Sequence, residues 1–126
     1  MMKIIEDLKY TKEHEWVDLK ESVGVVGITD FAQGELGDIV FVELPNVGDS
    51  FSSNDVFGTV EAVKTVADLY IPISGKILEI NDELESNPEL INSDPYGKGW
   101  IVKVELESKS DLDVLLTSSQ YEELVK

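Results

Sequence analysis

Residues 54–73, NDVFGTVEAVKTVADLYIPI, decide how the rest of this sequence is interpreted. Two arms rich in apolar residues meet at Lys64, with no glycine or proline at the junction. We predict a hairpin whose two-residue turn is Lys64–Thr65. One face then carries only apolar or small pairs, which are Ala62–Ala67, Val60–Leu69, Gly58–Ile71 and Val56–Ile73. An antiparallel pair packed on a core needs such a face, and a slip of one residue would destroy it.

The predicted hairpin breaks two local rules. Its tip, Lys64–Thr65, lacks the Asn-Gly or Gly-X pair that tight hairpin turns favour. Its outer face places Glu61 opposite Asp68, and like charges in that arrangement destabilise a sheet. Because local rules are most often broken at functional sites, we expect Lys64 to be presented to a partner. A solvated loop lysine is the plain alternative.

Composition indicates one domain over residues 1–126, with a core at about 10–106 and a short helical tail at about 110–126. The 126 residues include 26 acidic and 10 basic ones, for a formal net charge of −16 at pH 7. A chain this acidic is repelled by nucleic acid and by anionic membranes. All the basic residues are lysines, so the guanidinium fork that grips phosphate is absent. We expect a monomer with protein or small-molecule partners.

Composition also argues against an independent catalytic or metal centre. The chain has no cysteine, and His14 is its only histidine. Glu13 and Glu15 flank that histidine, but adjacent strand residues point to opposite faces and should not converge on one ion. No apolar run reaches membrane-spanning length, and the acidic start differs from a targeting peptide. We expect the cytoplasm, or the mitochondrial matrix if the chain is processed.

Short strands separated by turns predict an all-β barrel or sandwich with a few short helices. The strands are expected at 10–19, 23–28, 39–44, 76–80 and 100–106, in addition to the hairpin. A helix over 31–36 is predicted from a capping box of Asp30 with Gln33, and a helical turn is expected to begin at Asn87. The pairs Ser110 with Asp113 and Thr117 with Gln120 predict one or two C-terminal helices.

Four stretches in chain order carry a family resemblance: YTKEHEWV at 10–17, VGITDFAQGELGDIVFVELPNVG at 26–48, VEAVKTVADLYIPISGKILEI at 60–80 and INSDPYGKGWIVKV at 91–104. The third resembles the lipoyl-attachment hairpin of the lipoyl/biotinyl family. Together, over about residues 10–121, the four resemble the H protein family of the glycine cleavage system. The resemblance implies a lipoyl-domain-like fold of the hybrid-motif type.

The resemblance further implies a non-catalytic carrier with lipoate amide-linked to Lys64. Such a carrier takes an aminomethyl group from the pyridoxal-phosphate-dependent glycine decarboxylase to the tetrahydrofolate-dependent aminomethyltransferase. Dihydrolipoamide dehydrogenase reoxidises the dithiol, and a lipoate ligase or an octanoyl/lipoyl transferase attaches the cofactor. In the family the loaded arm lies in a cleft, and the matching positions here are Glu13, Glu15 and Asp68. We assign Glu61 to recognition by the attaching enzymes.

Some residues depart from the family pattern, and alternatives stay open. Ala62 and Thr65 differ from the frequent Glu-Ser-Val-Lys-Ala, and Glu13 stands where some members have serine. An H-like protein that distributes lipoate or octanoate to other lipoyl domains would share this sequence pattern. A biotin carrier would normally have methionine at positions 63 and 65, and a 2-oxo-acid dehydrogenase lipoyl domain would have Asp before the lysine. A hydrolase acting through acidic residues is the alternative from another class.

Overall fold

The structure is a computed structural model that describes residues 3–126. Within this range it contains nine strands, four α-helices and one 3₁₀ helix. The strands are β1 (Lys9–Tyr10), β2 (Glu15–Lys20), β3 (Val23–Ile28), β4 (Ile39–Glu43), β5 (Ser50–Phe51), β6 (Val56–Ala62), β7 (Val66–Tyr70), β8 (Gly75–Ile80) and β9 (Val102–Leu106). The helices are α1 (Asp30–Leu36), α2 (Glu83–Ser86), α3 (Leu90–Ser93), the 3₁₀ helix (Lys109–Val114) and α4 (Ser118–Val125).

The strands form two antiparallel sheets that pack face to face. The first has six strands in the order β1-β2-β3-β9-β8-β5, and the second has three in the order β4-β6-β7. One hydrophobic cluster joins them, with side chains from both sheets that include Val17, Val26, Val104, Val42, Val60 and Leu69. The predicted class, a mostly β fold with short helices at the margins, is confirmed.

The central hairpin forms between β6 and β7, but its register differs from the predicted one by two residues. Val60 pairs with Ala67 and Gly58 pairs with Leu69, whereas Leu69 was expected opposite Val60 and Ile71 opposite Gly58. The predicted register was wrong. A shift of two residues keeps the same side chains on the buried face, because strand side chains alternate with a period of two. Alternation alone therefore cannot distinguish the two registers.

The tip of the hairpin consequently moves back by one residue. Ala62 was expected opposite Ala67, but its N–H donates to the carbonyl of Thr65 at 2.7 Å, so that Val63 and Lys64 form the tip. The predicted turn, Lys64–Thr65, was wrong by this one position. Lys64 nevertheless remains at the end of the hairpin and is exposed.

The base of the hairpin contains a bulge that the sequence pattern did not indicate. The register shifts between Val56 and Gly58, and Val56 pairs with Tyr70 where Ile73 was predicted. Because of the bulge, Phe57 is buried next to the buried Gly58, and Val56 is exposed. Regular alternation continued from Val60 and Gly58 would instead have buried Val56 and exposed Phe57.

The predicted opposition of Glu61 and Asp68 is not present. Glu61 pairs with Val66, and Asp68 pairs with Thr59. The like-charge pair was an effect of the wrong register. No electrostatic cost of that kind therefore has to be explained at the hairpin.

Helix α1 begins and ends close to the predicted positions, with a different cap. Thr29, not Asp30, is the N-cap residue, and its hydroxyl accepts the N–H of Ala32 at 3.2 Å. Asp30 instead accepts from the side chain of Gln33 at 2.7 Å. The helix stops at Gly37, whose φ of 81° few other residues adopt without strain.

Asn87 is not the N-cap that was predicted, although the expected helical turn does form just after it, as α3. Asn87 ends α2, where its N–H donates to the carbonyl of Glu83 at 2.8 Å, and α3 begins only at Leu90. Leu84 and Ile91 are both fully buried, so core packing explains the two separate helical turns. None of the helices in residues 3–126 is long and apolar enough to cross a membrane.

The C-terminal helix α4 packs on a second hydrophobic cluster. Thr117 and Gln120 form the predicted capping box, with each side chain bonded to the other's backbone N–H. Tyr121 of this helix is fully buried and its ring stacks on Tyr10, with centroids 4.6 Å apart. The tail is thus attached to the β1–β2 region of the larger sheet.

Gly58 provides a test of the hairpin geometry. A Cβ added to Gly58 would meet the carbonyl oxygen of Glu43 in the neighbouring strand. We expect Gly58→Ala to lower the free energy of unfolding by about 1–3 kcal/mol. Gly34→Ala is the matched control, because that position in α1 is exposed and has no atom nearby. It should raise stability by about 0.5–1 kcal/mol. Urea unfolding measures both, and equal midpoints would contradict the close approach at Gly58.

Candidate functional site

A cleft of about 240 Å³ opens between helix α1, the segment before β2, and strand β7 at the edge of the smaller sheet. Its walls combine apolar side chains with four carboxylates. The lining residues are Glu13, His14, Glu15, Ile28, Phe31, Ala32, Glu35, Leu36, Val60, Ala67, Asp68 and Leu69. Such a cleft suits a flexible apolar chain that ends in a cation.

Three of the four predicted site carboxylates line this cleft. Glu13 and Asp68 are exposed at its rim, and Glu15 is buried. They come from two distant parts of the chain, and the fold brings them together. Glu61 does not line the cleft.

Glu13, His14 and Glu15 line the same cleft although they are consecutive residues. The backbone of His14 explains this, because its φ is 72°. This left-handed conformation is uncommon for residues other than glycine and breaks the alternation of side chains. The expectation that His14 could not converge with its neighbours Glu13 and Glu15 holds for a regular strand, but β2 begins only at Glu15.

The carboxyl group of Glu15 is held by two hydrogen bonds at the wall of the cleft. Its Oε1 accepts the hydroxyl of Thr11 at 2.6 Å, and its Oε2 accepts the N–H of Tyr70 at 3.3 Å. Only 2% of the residue is exposed. Burial raises the pKa of Glu15 to about 8, against the lowering effect of both hydrogen bonds. The group is therefore mainly protonated at neutral pH.

His14 and Glu35 are cleft residues that the sequence interpretation missed. His14 falls within the strand predicted over residues 10–19 and was given no part in the cleft, yet its ring lies against Phe31 with centroids 4.9 Å apart. Burial lowers the pKa of His14, while Glu13 and Glu35 oppose that effect. The helical spacing of Phe31, Ala32 and Glu35 in α1 could have indicated that they share a face. The conformation of His14 left no comparable signal in the sequence.

Lys64 lies outside the cleft, next to the end of α1. The N–H of Val63 donates to the carbonyl of Asp38 at 3.1 Å, which attaches the hairpin tip to the α1–β4 loop. The aliphatic stem of Lys64 passes over Gly37, with Cε 3.4 Å from the position of an added Cβ. Gly37 directly follows Leu36, which lines the cleft. A group attached to the amine thus starts close to the cleft.

Apolar side chains surround the hairpin tip on its outer side. Val63 is 75% exposed, Val66 is 62% exposed and Phe41 is 51% exposed. Phe41 and Val66 both pair with Glu61, from opposite sides of β6. An exposed apolar group of this kind beside a lysine is typical of a surface that other proteins contact.

A lysine at a fixed hairpin tip beside a cleft is the arrangement of proteins that carry a covalently attached group. The sequence profile of the glycine cleavage H-protein family matches residues 8–126. The chain belongs to the glycine cleavage system H protein family. Members of this family are non-catalytic carriers with a lipoyl-lysine.

Individual relatives agree over almost the full length. The chain is 53% identical to the glycine cleavage system H protein of Carboxydothermus hydrogenoformans, over all of this chain and 97% of that protein. It is 56% identical to the protein of the same name from Symbiobacterium thermophilum, over all of this chain and 98% of the relative. The crystal structure of a glycine cleavage system H protein from Mycobacterium marinum superposes with a TM-score of 0.89 at 41% identity, and covers 95% of this chain and 97% of that one.

Family membership confirms the lipoyl-carrier interpretation and rejects the biotin carrier, the 2-oxo-acid dehydrogenase domain and the hydrolase. The other proteins of the glycine cleavage system, named P, T and L, are the partners that membership implies. The cleft fits a lipoyl group, since its apolar walls match an alkyl chain and a dithiolane ring while its carboxylates match a cationic cargo.

The buried carboxyl of Glu15 should make stability depend on pH. In the unfolded chain Glu15 loses its proton near the ordinary pKa of 4.5, whereas the folded protein keeps it until about pH 8. The folded state therefore binds more protons between these values, and this group lowers the free energy of unfolding as pH rises. Glu15→Gln should remove this contribution. Urea midpoints at several pH values should shift in favour of the variant as pH rises, and parallel curves would contradict the raised pKa.

Proposed function

We propose that Lys64 is the lipoylated residue and that the protein shuttles the aminomethyl group of glycine. The supporting observation is position: Lys64 is exposed at an anchored hairpin tip, and its stem leads to a cleft lined with carboxylates. The lipoyl group, when attached, would supply a disulfide that opens to take the aminomethyl cargo on one sulfur and that is left as a dithiol once the cargo has been released. The donor is the pyridoxal-phosphate-dependent decarboxylase, the acceptor is the tetrahydrofolate-dependent aminomethyltransferase, and dihydrolipoamide dehydrogenase restores the disulfide.

The cleft shelters the loaded arm, with the cationic amine near its carboxylates. Asp68 and Glu13 are exposed at the rim and provide the negative charge that attracts the amine. Glu15 lies deeper, and a cation beside it favours its ionised form, because an opposite charge offsets the cost of burial. The apolar walls from Phe31 and Leu69 restrict the access of water to the cargo.

Glu61 serves recognition at the tip and not docking in the cleft. It lies on the outer face between Phe41 and Val66, close to Lys64 in the hairpin. A lipoate ligase or an octanoyl/lipoyl transferase must contact this surface to reach the amine. The net charge of −16 favours a basic surface on such an enzyme.

The remaining assignments follow the carrier role. We propose that residues 1–126 act as one lipoyl-carrier domain, with a core at about 10–106 and a tail at 110–126, and that the protein is a cytoplasmic monomer. Neither nucleic acid nor a membrane is a partner. A role in distributing lipoate or octanoate to other lipoyl domains is the second candidate, because the same tip would serve both transfers.

Replacing the proposed attachment residue should abolish modification. Lys64→Arg keeps the positive charge but removes the primary amine that forms the amide. Co-expression with a lipoate ligase and intact-mass analysis should show one lipoyl increment in the wild type and none in the variant. Lys76→Arg is the control, since Lys76 is also exposed in a strand. Retention of the increment in Lys64→Arg, or its loss in Lys76→Arg, would overturn the assignment.

Neutralising the rim of the cleft should shorten the lifetime of the loaded protein. Asp68→Asn removes a carboxylate from the proposed amine site and should speed decay about three- to tenfold, because the contact lies at an exposed rim and contributes about as much as one ordinary hydrogen bond. The measurement is the decay of the isolated aminomethyl-loaded protein at moderate salt. Asp113→Asn removes an exposed acid outside the cleft and is the matched control. Equal lifetimes for all three proteins would contradict docking at Asp68.

Glu61→Gln should slow lipoylation without shortening the lifetime of the loaded protein, in contrast to Asp68→Asn. Because Glu61 lies outside the cleft, the variant should slow lipoylation by the ligase about two- to fivefold through weaker electrostatic steering. The lifetime of the loaded protein should stay at the wild-type value. A shortened lifetime with an unchanged rate of lipoylation would reject the recognition role.

A further inference from the structure

The left-handed turn at His14 is held from three sides. The N–H of His14 donates to the carbonyl of Thr11 at 3.1 Å, and the N–H of Thr29 donates to the carbonyl of His14 at 3.0 Å. The third contact comes from the C-terminal helix, where the hydroxyl of Tyr121 lies 2.9 Å from Nδ1 of the ring. Without such contacts a non-glycine residue would leave this conformation, because left-handed backbone is strained for residues that carry a Cβ.

The same hydroxyl contacts the cap of helix α1. Tyr121 Oη lies 2.6 Å from the hydroxyl of Thr29, and both residues are fully buried. The Thr29 oxygen already accepts the N–H of Ala32. One phenol thus joins α4, the N-terminus of α1 and the turn before β2, and the last two are walls of the cleft.

The direction of these hydrogen bonds follows from the burial of Thr29. A buried hydroxyl proton needs an acceptor, and in the described part of the chain Tyr121 Oη is the acceptor within reach. Thr29 therefore donates to Tyr121, and Tyr121 donates its own proton to His14 Nδ1. The imidazole is then neutral, with its proton on Nε2. A protonated imidazole would donate from Nδ1 to Tyr121, and Tyr121 would then donate to Thr29. The hydroxyl proton of Thr29 would be left without a partner.

We propose that Tyr121 is a positioning residue for the cleft. Its hydroxyl holds the turn at His14 and thereby keeps the carboxylates of Glu13 and Glu15 in one site. The C-terminal helix thus contributes to the site without lining it, since Tyr121 is not among the cleft residues. The consequence for the loaded arm rests on the proposed docking in this cleft, whereas the effect on the unloaded protein does not.

The unloaded protein provides the first test, by NMR of its only histidine. Tyr121→Phe keeps the stacked ring but removes the donor to Nδ1. The neutral ring then loses its hydrogen bond, so His14 should titrate at a higher pH and its Nδ1 resonance should move. The carboxyl resonances of Glu13 and Glu15 should move as well. Charges from Glu13 and Glu35 act on the ring in both proteins.

Tyr10→Phe is the matched control. Tyr10 is equally buried in the same stacked pair, but its hydroxyl bonds to the backbone of Ile5 and not to the cleft. It should cost similar stability and leave the resonances of His14, Glu13 and Glu15 unchanged. Thr29→Val removes the hydroxyl that donates to Tyr121 and should reproduce the shift at His14, so it keeps the test decisive if Tyr121→Phe folds poorly. Thr29→Ser retains that hydroxyl and should behave as the wild type.

Three results would overturn the inference. They are an unchanged His14 titration in both Tyr121→Phe and Thr29→Val, a change at His14 without any change at Glu13 or Glu15, and equal effects of Tyr10→Phe and Tyr121→Phe. In the loaded protein Tyr121→Phe should shorten the lifetime about three- to tenfold. If Asp68→Asn shortens that lifetime and Tyr121→Phe does not, positioning fails. If neither variant does, docking in the cleft fails, and the NMR result alone decides the role of Tyr121.

Discussion

The buried carboxyl group of Glu15 joins the two sheets at the point where the functional cleft forms. Glu15 begins β2 in the six-stranded sheet, and its Oε2 accepts the N–H of Tyr70 at the edge of the three-stranded sheet. Burying a carboxyl costs free energy, and the bonds to Thr11 and Tyr70 offset only part of it, as the raised pKa of Glu15 indicates. An apolar residue would fill this place at lower cost. A carboxyl group at this position agrees with the proposed role of the cleft as a site for a cationic cargo.

The carrier function separates two requirements that the fold meets in different places. In the proposed function the amine of Lys64 has to reach the active sites of other proteins, and Lys64 stands on an exposed tip that the Val63–Asp38 hydrogen bond holds in place. The proposed shelter for the cargo between transfers is the cleft, which lies close to that tip. Gly37 lies between the hairpin tip and the cleft. It ends α1 with a positive φ and leaves room for the stem of Lys64.

Much of this organisation could be predicted from the sequence. The β2–β3 pair, the stop of α1 at Gly37 and the capping box of Thr117 with Gln120 are local, because each depends on residues within a few positions of one another. The family resemblance located Glu13, Glu15 and Asp68, and the structure places all three in one cleft. The sequence already placed Glu61 on the outer face, but only the structure shows that it pairs with Val66 instead of Asp68 and that it does not line the cleft.

The sequence by itself determined the mostly β class, the buried face of the hairpin and the prominence of Lys64, because alternation and turn residues act over short distances. Only the tertiary structure decided the register of β6 against β7, since a shift of two residues leaves the same face buried and alternation cannot distinguish the two pairings. It also decided the left-handed turn at His14. That conformation depends on Tyr121, 107 residues away along the chain, and a contact of that range leaves no pattern in a single sequence.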